Sequence, residues 1–166
     1  MKPRTLFYGL AAGALVLSQV SSFLVNRSLE IGRTVQVFGP IHLTHVRNHG
    51  GIFGILQGHG WLFALVSCVI LGLVVFWVHR THFQHVLEYA CFGLVVGGGT
   101  SNITDRWIYG SVVDFVDVHG IPHWNYIFNT ADMLIHLGIW PLLIYGLIAS
   151  RRRTEDVANN SEVGLP

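Results

Sequence analysis

Charged side chains are scarce in this sequence. Only 11% of its 166 residues are Asp, Glu, Lys or Arg, against about a quarter in soluble domains. With 51% hydrophobic residues and a mean hydropathy of +0.51, most of the surface must meet lipid rather than water. No charge of one sign accumulates either. The net charge is +1, which leaves no basic field to hold nucleic acid. Cysteine is scarce: Cys68 and Cys91 both lie inside apolar runs and read as small buried hydrophobes, not as a disulfide framework. A helical HExxH zinc motif is missing, and so is a small-x-small cleavage site after the first apolar run. That run therefore reads as a retained helix that doubles as export signal.

What is present is a set of four apolar stretches, at residues 6–25, 61–78, 86–103 and 128–149. Each approaches the roughly 20 residues needed to cross a bilayer. The expected fold class is an all-α membrane bundle of four transmembrane helices carrying a small extracytoplasmic β hairpin. Lys2, Arg4, Arg80 and Arg151 to Arg153 flank the span ends on one side. That side is assigned to the cytoplasm, which puts both termini inside. Residues 26–60 and 104–127 then lie outside. Within the first of these, Thr34-Val35-Gln36-Val37-Phe38 and Ile41-His42-Leu43-Thr44 alternate around Gly39-Pro40. The pattern predicts a hairpin, in an outer β segment of about residues 33–58, lying at the membrane surface. Residues 1–153 form one membrane domain. Residues 154–166, polar and without aromatics, are expected to be a disordered cytoplasmic tail. Gly93 and Gly97 fall on one helical face and predict close helix packing.

An ionisable residue inside a span is expensive and marks a functional candidate. Asp132 is the clearest, with Asn129 and His136 on the same helical face. Asp114, flanked by apolar residues in Val112-Val113-Asp114-Phe115, and Asn102-Ile103-Thr104-Asp105-Arg106 come from the same outer side. Two facing carboxylates push one pKa up, so that one acid holds a proton while the other is ionised. Such a pair can polarise a carbonyl and activate water without metal or nucleophile. Asp105 and Arg106 can instead be structural, bonding loop amides and carbonyls at a helix end. A structural alternative for Asp132 is an ion pair with Arg106 or Arg47, and Asp117 reads as a solvated acid. A rival site is metallic: His42, His45, His49, His119 and His123 with Asp114, though no helical HExxH is present and the first three lie in predicted strand and turn. His79, His82 and His85 read as headgroup contacts. Trp124, Tyr126 and Phe128, between the two aspartates, suggest an aromatic lid.

In this order, the pieces resemble the lipoprotein signal peptidases (signal peptidase II), membrane aspartic peptidases of bacteria. The likeness runs from the first span to about Leu147. It rests on Gly97-Gly98-Gly99-Thr100-Ser101-Asn102-Ile103-Thr104-Asp105-Arg106, Val112-Val113-Asp114-Phe115, Phe128-Asn129-Thr130-Ala131-Asp132 and Arg47-Asn48-His49-Gly50-Gly51-Ile52-Phe53. The resemblance implies that Asp114 and Asp132 are the catalytic pair. Asn48, Asn102, Asp105, Arg106 and Asn129 would shape the site and hold the substrate backbone. It further implies a multi-pass enzyme of the bacterial cytoplasmic (inner) membrane, a monomer among phospholipids, with its site facing the periplasm and no metal or cofactor. The substrate would be a diacylglyceryl-modified prolipoprotein, cut just before the lipidated cysteine. The first span departs from the family. Ser18-Gln19-Val20-Ser21-Ser22 stands where the family has Asp-Gln-x-x-Lys, and Ser101 replaces a glycine. Ser18 and Ser22 are expected to keep a neutral hydrogen-bonded contact there. The changed first span leaves open a non-catalytic paralogue that binds lipoproteins or lipid. A histidine-rich metal or ion transporter is the further alternative.

Overall fold

Backbone amides in lipid have to be satisfied within the chain, and a helix does this locally. In a computed structural model, which describes residues 2–51 and 56–163, the apolar runs form α1 (Pro3–Ser28), α2 (Gly60–Arg80), α3 (Val86–Tyr109) and α4 (Thr130–Val163). Ile52 and Phe53 of the segment Arg47 to Phe53, and part of the expected outer β segment, lie outside the described residues. Pro3 opens α1, where a missing N–H costs nothing. Glu88, the one acid near the start of α3, accepts the N–H of His85 at 3.1 Å and so caps that helix. Gly110, at φ +71°, closes it in the left-handed conformation.

Among the described residues, three helices are long and apolar enough to cross a membrane: α1, α2 and residues 130–152 of α4. Four such helices were expected from the sequence. α3 falls short because Gly97-Gly98-Gly99-Thr100-Ser101-Asn102 dilutes its apolarity, and its position explains how that is tolerated. It packs against α1, α2 and α4, so its surface meets other helices more than lipid. The sequence reading also ended the last helix near Ala149 and left residues 154–166 irregular, of which 164–166 lie outside the described residues. Instead α4 runs to Val163. Extending an existing helix needs no new nucleus, so a polar continuation costs little.

The glycines of α3 set the helix spacing. A Cβ on Gly97 would collide with the carbonyl of Ala11 and lie 2.6 Å from Ala14 Cβ in α1. One on Gly98 would lie 2.6 Å from the Ala131 carbonyl, in the first turn of α4. Small residues thus let both neighbours approach backbone to backbone. Gly98→Leu is expected to push α4 outward and destabilise the bundle by about 1–3 kcal/mol or more. A fall in Tm of the purified protein in detergent, together with lost activity, checks this; an unchanged Tm refutes the packing argument.

At one end of the bundle sits an antiparallel sheet in the order β1-β2-β3-β4. The predicted hairpin is β1 (Thr34–Phe38) and β2 (Ile41–Asn48). The sequence reading placed no strand in the second outer segment, yet β3 (Val112–Val118) and β4 (Ile127–Phe128) form there. Val112, Val113, Asp114 and Phe115 are all buried. A strand covered on both faces shows no polar–apolar alternation to betray it. Register places Val46 opposite Asp114 and Asn48 opposite Val112. Val116 pairs with Phe128, which staples the end of the aromatic loop into the sheet. Trp124 and Tyr126 stack edge to face at 5.5 Å.

Candidate active site

The sheet and the ends of α3 and α4 bring together all seven residues singled out from the sequence. Asp132 lies in the first turn of α4. Its carboxylate accepts the backbone N–H of Asn129 at 3.3 Å, while Asn129 Oδ1 accepts the N–H of Asp132 at 3.0 Å. This is the reciprocal arrangement of a capping box. The cap that starts the helix therefore also fixes the Asp132 carboxylate, at the helix end that favours negative charge.

Asn129 does a second job. Its Nδ2 donates to Asp114 Oδ1 at 2.7 Å and to Asn102 Oδ1 at 3.1 Å. Asn102 Nδ2 in turn donates to Asp132 Oδ1 at 2.9 Å. On the far side, Asn48 Nδ2 donates to Asp114 Oδ2 at 3.1 Å. Its Oδ1 accepts the N–H of Gly50 at 3.0 Å, which holds the turn after β2. Three asparagines thus tie the two carboxylates into one network spanning β2, β3, α3 and α4.

Asp105 and Arg106 brace that network without touching the two aspartates. Asp105, 1% exposed, accepts the Val113 N–H at 3.1 Å, Gln19 Nε2 at 2.8 Å and Ser22 Oγ at 3.2 Å. It joins α1, α3 and the strand that carries Asp114. Arg106 donates to the carbonyls of Asn102 and Gly50 at 3.1 and 2.8 Å. Sequence reasoning gave Gln19 no role, although an amide inside an apolar span was itself a signal. Gln19 also donates to Ser101 Oγ at 2.9 Å. The neutral contact expected of Ser18 and Ser22 does not form: Ser22 donates to the Asp105 carboxylate instead. The buried Ser18 hydroxyl has no partner among the described residues.

The alternatives fare differently. Asp132 forms no ion pair with arginine among the described residues. Arg106 bonds carbonyls, and Arg47 reaches Asn26 Oδ1 and lies over the Tyr109 ring. Asp117 is not a freely solvated acid: Thr44 Oγ1 donates to it at 2.6 Å and His119 Nε2 sits at 2.9 Å. Its burial pushes its carboxyl up, but these bonds and the nearby imidazoles outweigh that and hold it below the usual range. The histidines of the rival site take other partners. His45 Nδ1 meets the Leu29 carbonyl at 2.7 Å, and His42 stacks on His119. Among the described residues no three His, Cys, Asp or Glu converge as metal ligands. His79 meets Tyr8 OH at 2.5 Å, and His136 Nδ1 meets the backbone carbonyl of Asp132 at 2.7 Å.

Asp114 is 4% exposed. Burial pushes its carboxyl up to about 7, the negative field of Asp132 adds to the rise, and hydrogen bonds from Asn48 and Asn129 with the Arg106 charge oppose it. Asp132 is the more open of the two. Residues 10–148 match the family model described as "Signal peptidase (SPase) II". The chain belongs to the signal peptidase II family. Membership makes it an aspartic peptidase of the membrane. A lipoprotein signal peptidase of Caulobacter vibrioides is 37% identical over 153 residues, covering 88% of this chain and 89% of that one. One from Fusobacterium nucleatum is 32% identical over 142 residues, covering 84% of each. Two bacterial membrane enzymes solved by the in meso method share the fold. One has a TM-score of 0.79 at 26% identity, over 85% of this chain and 87% of that one; the other has 0.73 at 27%, over 83% and 89%.

For a signal peptidase II with this network, Asn129 is the natural place to probe how the carboxylates are held. Asn129→Ala removes the donor to Asp114 and the cap of α4. We expect kcat to fall by about 10- to 100-fold, since small misplacement of catalytic groups has effects of this size, along with a loss of about 1 kcal/mol in stability from the missing cap. Steady-state kinetics and thermal unfolding in detergent check both. Undiminished kcat would remove Asn129 from the site.

Proposed function

We propose that this protein is the peptidase that removes the signal peptide from diacylglyceryl-modified prolipoproteins. Asp114 and Asp132 activate water, and the cut falls before the lipidated cysteine. The observation that supports this most is the asparagine network holding the buried Asp114 against the more open Asp132 (Asn129 to Asp114 at 2.7 Å, Asn102 to Asp132 at 2.9 Å). Asp114, with its carboxyl raised to about 7, is the member that carries a proton and donates it to the scissile carbonyl oxygen. Asp132, at a helix N-terminus with two donors on it, is the ionised member that takes a proton from water as the water oxygen attacks the carbonyl carbon. The tetrahedral intermediate collapses as Asp132 returns its proton to the leaving cysteine nitrogen, and the new acid gives a proton back to Asp114. Water is consumed and the dyad is restored. Asn48, Asn102 and Asn129 orient the carboxylates; Asp105 and Arg106 position the strand and turn that carry them.

The location fits the substrate. A diacylglyceryl group stays in the bilayer because each buried CH₂ is worth about 0.8 kcal/mol, so the enzyme has to work at membrane level. In this reading all four helices span the bacterial inner membrane, with both termini in the cytoplasm and the sheet on the outer surface. Phe38, Val37 and Ile31, 77%, 59% and 66% exposed, then rest against lipid headgroups. The test is incubation of purified protein with a diacylglyceryl-modified prolipoprotein, with and without chelator. Mass spectrometry should find the lipidated cysteine as the new N-terminus in both. A cut elsewhere, or none by folded protein, sinks the proposal.

A further inference from the structure

Three consecutive glycines order the helices around α3. A Cβ on Gly97 would meet Ala11 and Ala14 of α1, one on Gly98 would meet Ala131 and Ile135 of α4, and one on Gly99 would meet Leu71 of α2. At about 100° per residue, α4 stands between α1 and α2. It packs on α3 through Ala131, Ile135 and Gly138, and it meets α1 through Thr130, whose Oγ1 accepts from Ser21 Oγ at 2.8 Å. Asp132, two residues beyond Thr130, projects from the flank turned away from α1 and towards α2. His136, four residues farther, shares that flank. It lies one helical turn farther from the sheet than Asp132, on the side where Asn102 of α3 holds the Asp132 carboxylate.

The His136 imidazole is exposed in a helix segment apolar enough to cross a membrane. Its Nδ1 lies 2.7 Å from the Asp132 carbonyl oxygen. A carbonyl oxygen only accepts, so Nδ1 carries the hydrogen, and in the neutral ring Nε2 presents a bare lone pair. The bond from Nδ1 is the ring's one hydrogen bond among the described residues. Lipid has no donor for Nε2, whereas a peptide drawn into the site in extended form has given up its helical bonds and needs acceptors for its N–H groups. We infer that His136 Nε2 is a substrate-binding acceptor for one backbone N–H of the signal peptide, on the N-terminal side of the cut. The inference rests on the prolipoprotein reading and adds a contact that sets the register of the peptide. In that reading the signal peptide runs inward from the cut, as α4 runs inward from Asp132. Four helical residues rise about 6 Å, and an extended chain advances about 3.3 Å per residue. The N–H therefore belongs to the second residue before the cut. Trp140, with its ring centroid 6.5 Å from that of His136, carries a donor only and does not substitute for it.

The test removes donor and acceptor separately. Synthetic diacylglyceryl-modified prolipopeptides carry an ester in place of the amide N–H at each of the four residues before the cut, one at a time. The acceptor is removed by His136→Phe, which keeps a flat ring and lacks Nε2. With wild type, the ester at the second residue should lower kcat/KM about 5- to 10-fold, the size of one lost hydrogen bond. His136→Phe should show that loss already with the all-amide peptide and lose no more with the ester. A merely structural role, through the helix or the Asp132 carbonyl, would lower both peptides alike and leave their ratio at the wild-type value. The inference is overturned if the ester penalty is the same in both proteins at all four positions, or if wild type shows no penalty at any of them. Thermal unfolding in detergent checks that His136→Phe is folded. Where wild type cuts the all-amide peptide, these outcomes judge the His136 contact alone. If folded wild type cuts nothing, the proposed function fails and the contact falls with it.

Discussion

Asp114→Asn and Asp132→Asn should each lower the rate of prolipoprotein cleavage by about 10²- to 10⁴-fold, the span associated with losing a general acid or base. The double variant should be little worse than either single one, because the two carboxyls act on one proton inventory. Both substitutions keep the shape of the side chain. Each nevertheless turns one accepting oxygen into an NH₂ group that faces donors. At Asp114 these are Asn48 Nδ2 and Asn129 Nδ2; at Asp132 they are Asn102 Nδ2 and the Asn129 N–H. One bond of each pair is lost, at about 1–3 kcal/mol for a buried group left unmade. The variants should therefore unfold at somewhat lower temperature than wild type yet remain folded, and still bind substrate. Kinetics and thermal unfolding on one preparation separate lost chemistry from lost structure. Either variant retaining more than a tenth of wild-type kcat would exclude that aspartate from proton transfer.

The parts of the molecule legible in the sequence are those whose chemistry is local. The apolar runs announced helices, and Thr34 to Phe38 with Ile41 to Thr44 announced a hairpin, because period and turn residues lie side by side in the chain. Asp132 and Asn129 stood out because polar residues in a span need a reason, and their shared face is a matter of spacing alone. What could not be read depends on long-range partners. Val112 to Phe115 carries no alternation because its side chains are buried on both faces of the strand, where α1 and α3 pack against it. Gln19 gained meaning only when Asp105, 86 residues away, was found to accept from it. Ser18 and Ser22 looked equivalent in the sequence. Their environments are not: Ser22 reaches Asp105, and the Ser18 hydroxyl has no partner among the described residues. The glycines and polar residues of α3 could not be given their partners from the sequence, because those partners lie in α1, α2 and α4.

Cleavage should fall steeply on the alkaline side, and the sign follows from Asp114. The reaction needs its proton. Its carboxyl is raised to about 7, first by burial and then by the Asp132 charge. Below that value the proton is in place; above it the protonated fraction falls tenfold for each pH unit. The logarithm of kcat/KM should therefore bend near pH 7 and descend with a slope of −1, leaving about one-hundredth of the plateau at pH 9. On the acid side the rate should fall as the ionised partner takes up a proton, so the whole profile is a bell. The position of the alkaline limb is itself adjustable. Asn48 donates to the Asp114 carboxylate and so lowers its pKa. Asn48→Ala removes that stabilisation of the charged form and should move the limb to higher pH. The pH profile of kcat/KM for wild type and Asn48→Ala, in one detergent and at one salt concentration, decides the matter. A flat alkaline profile would mean that Asp114 does not supply the proton. A limb that moves to lower pH in Asn48→Ala would mean that it belongs to some other group.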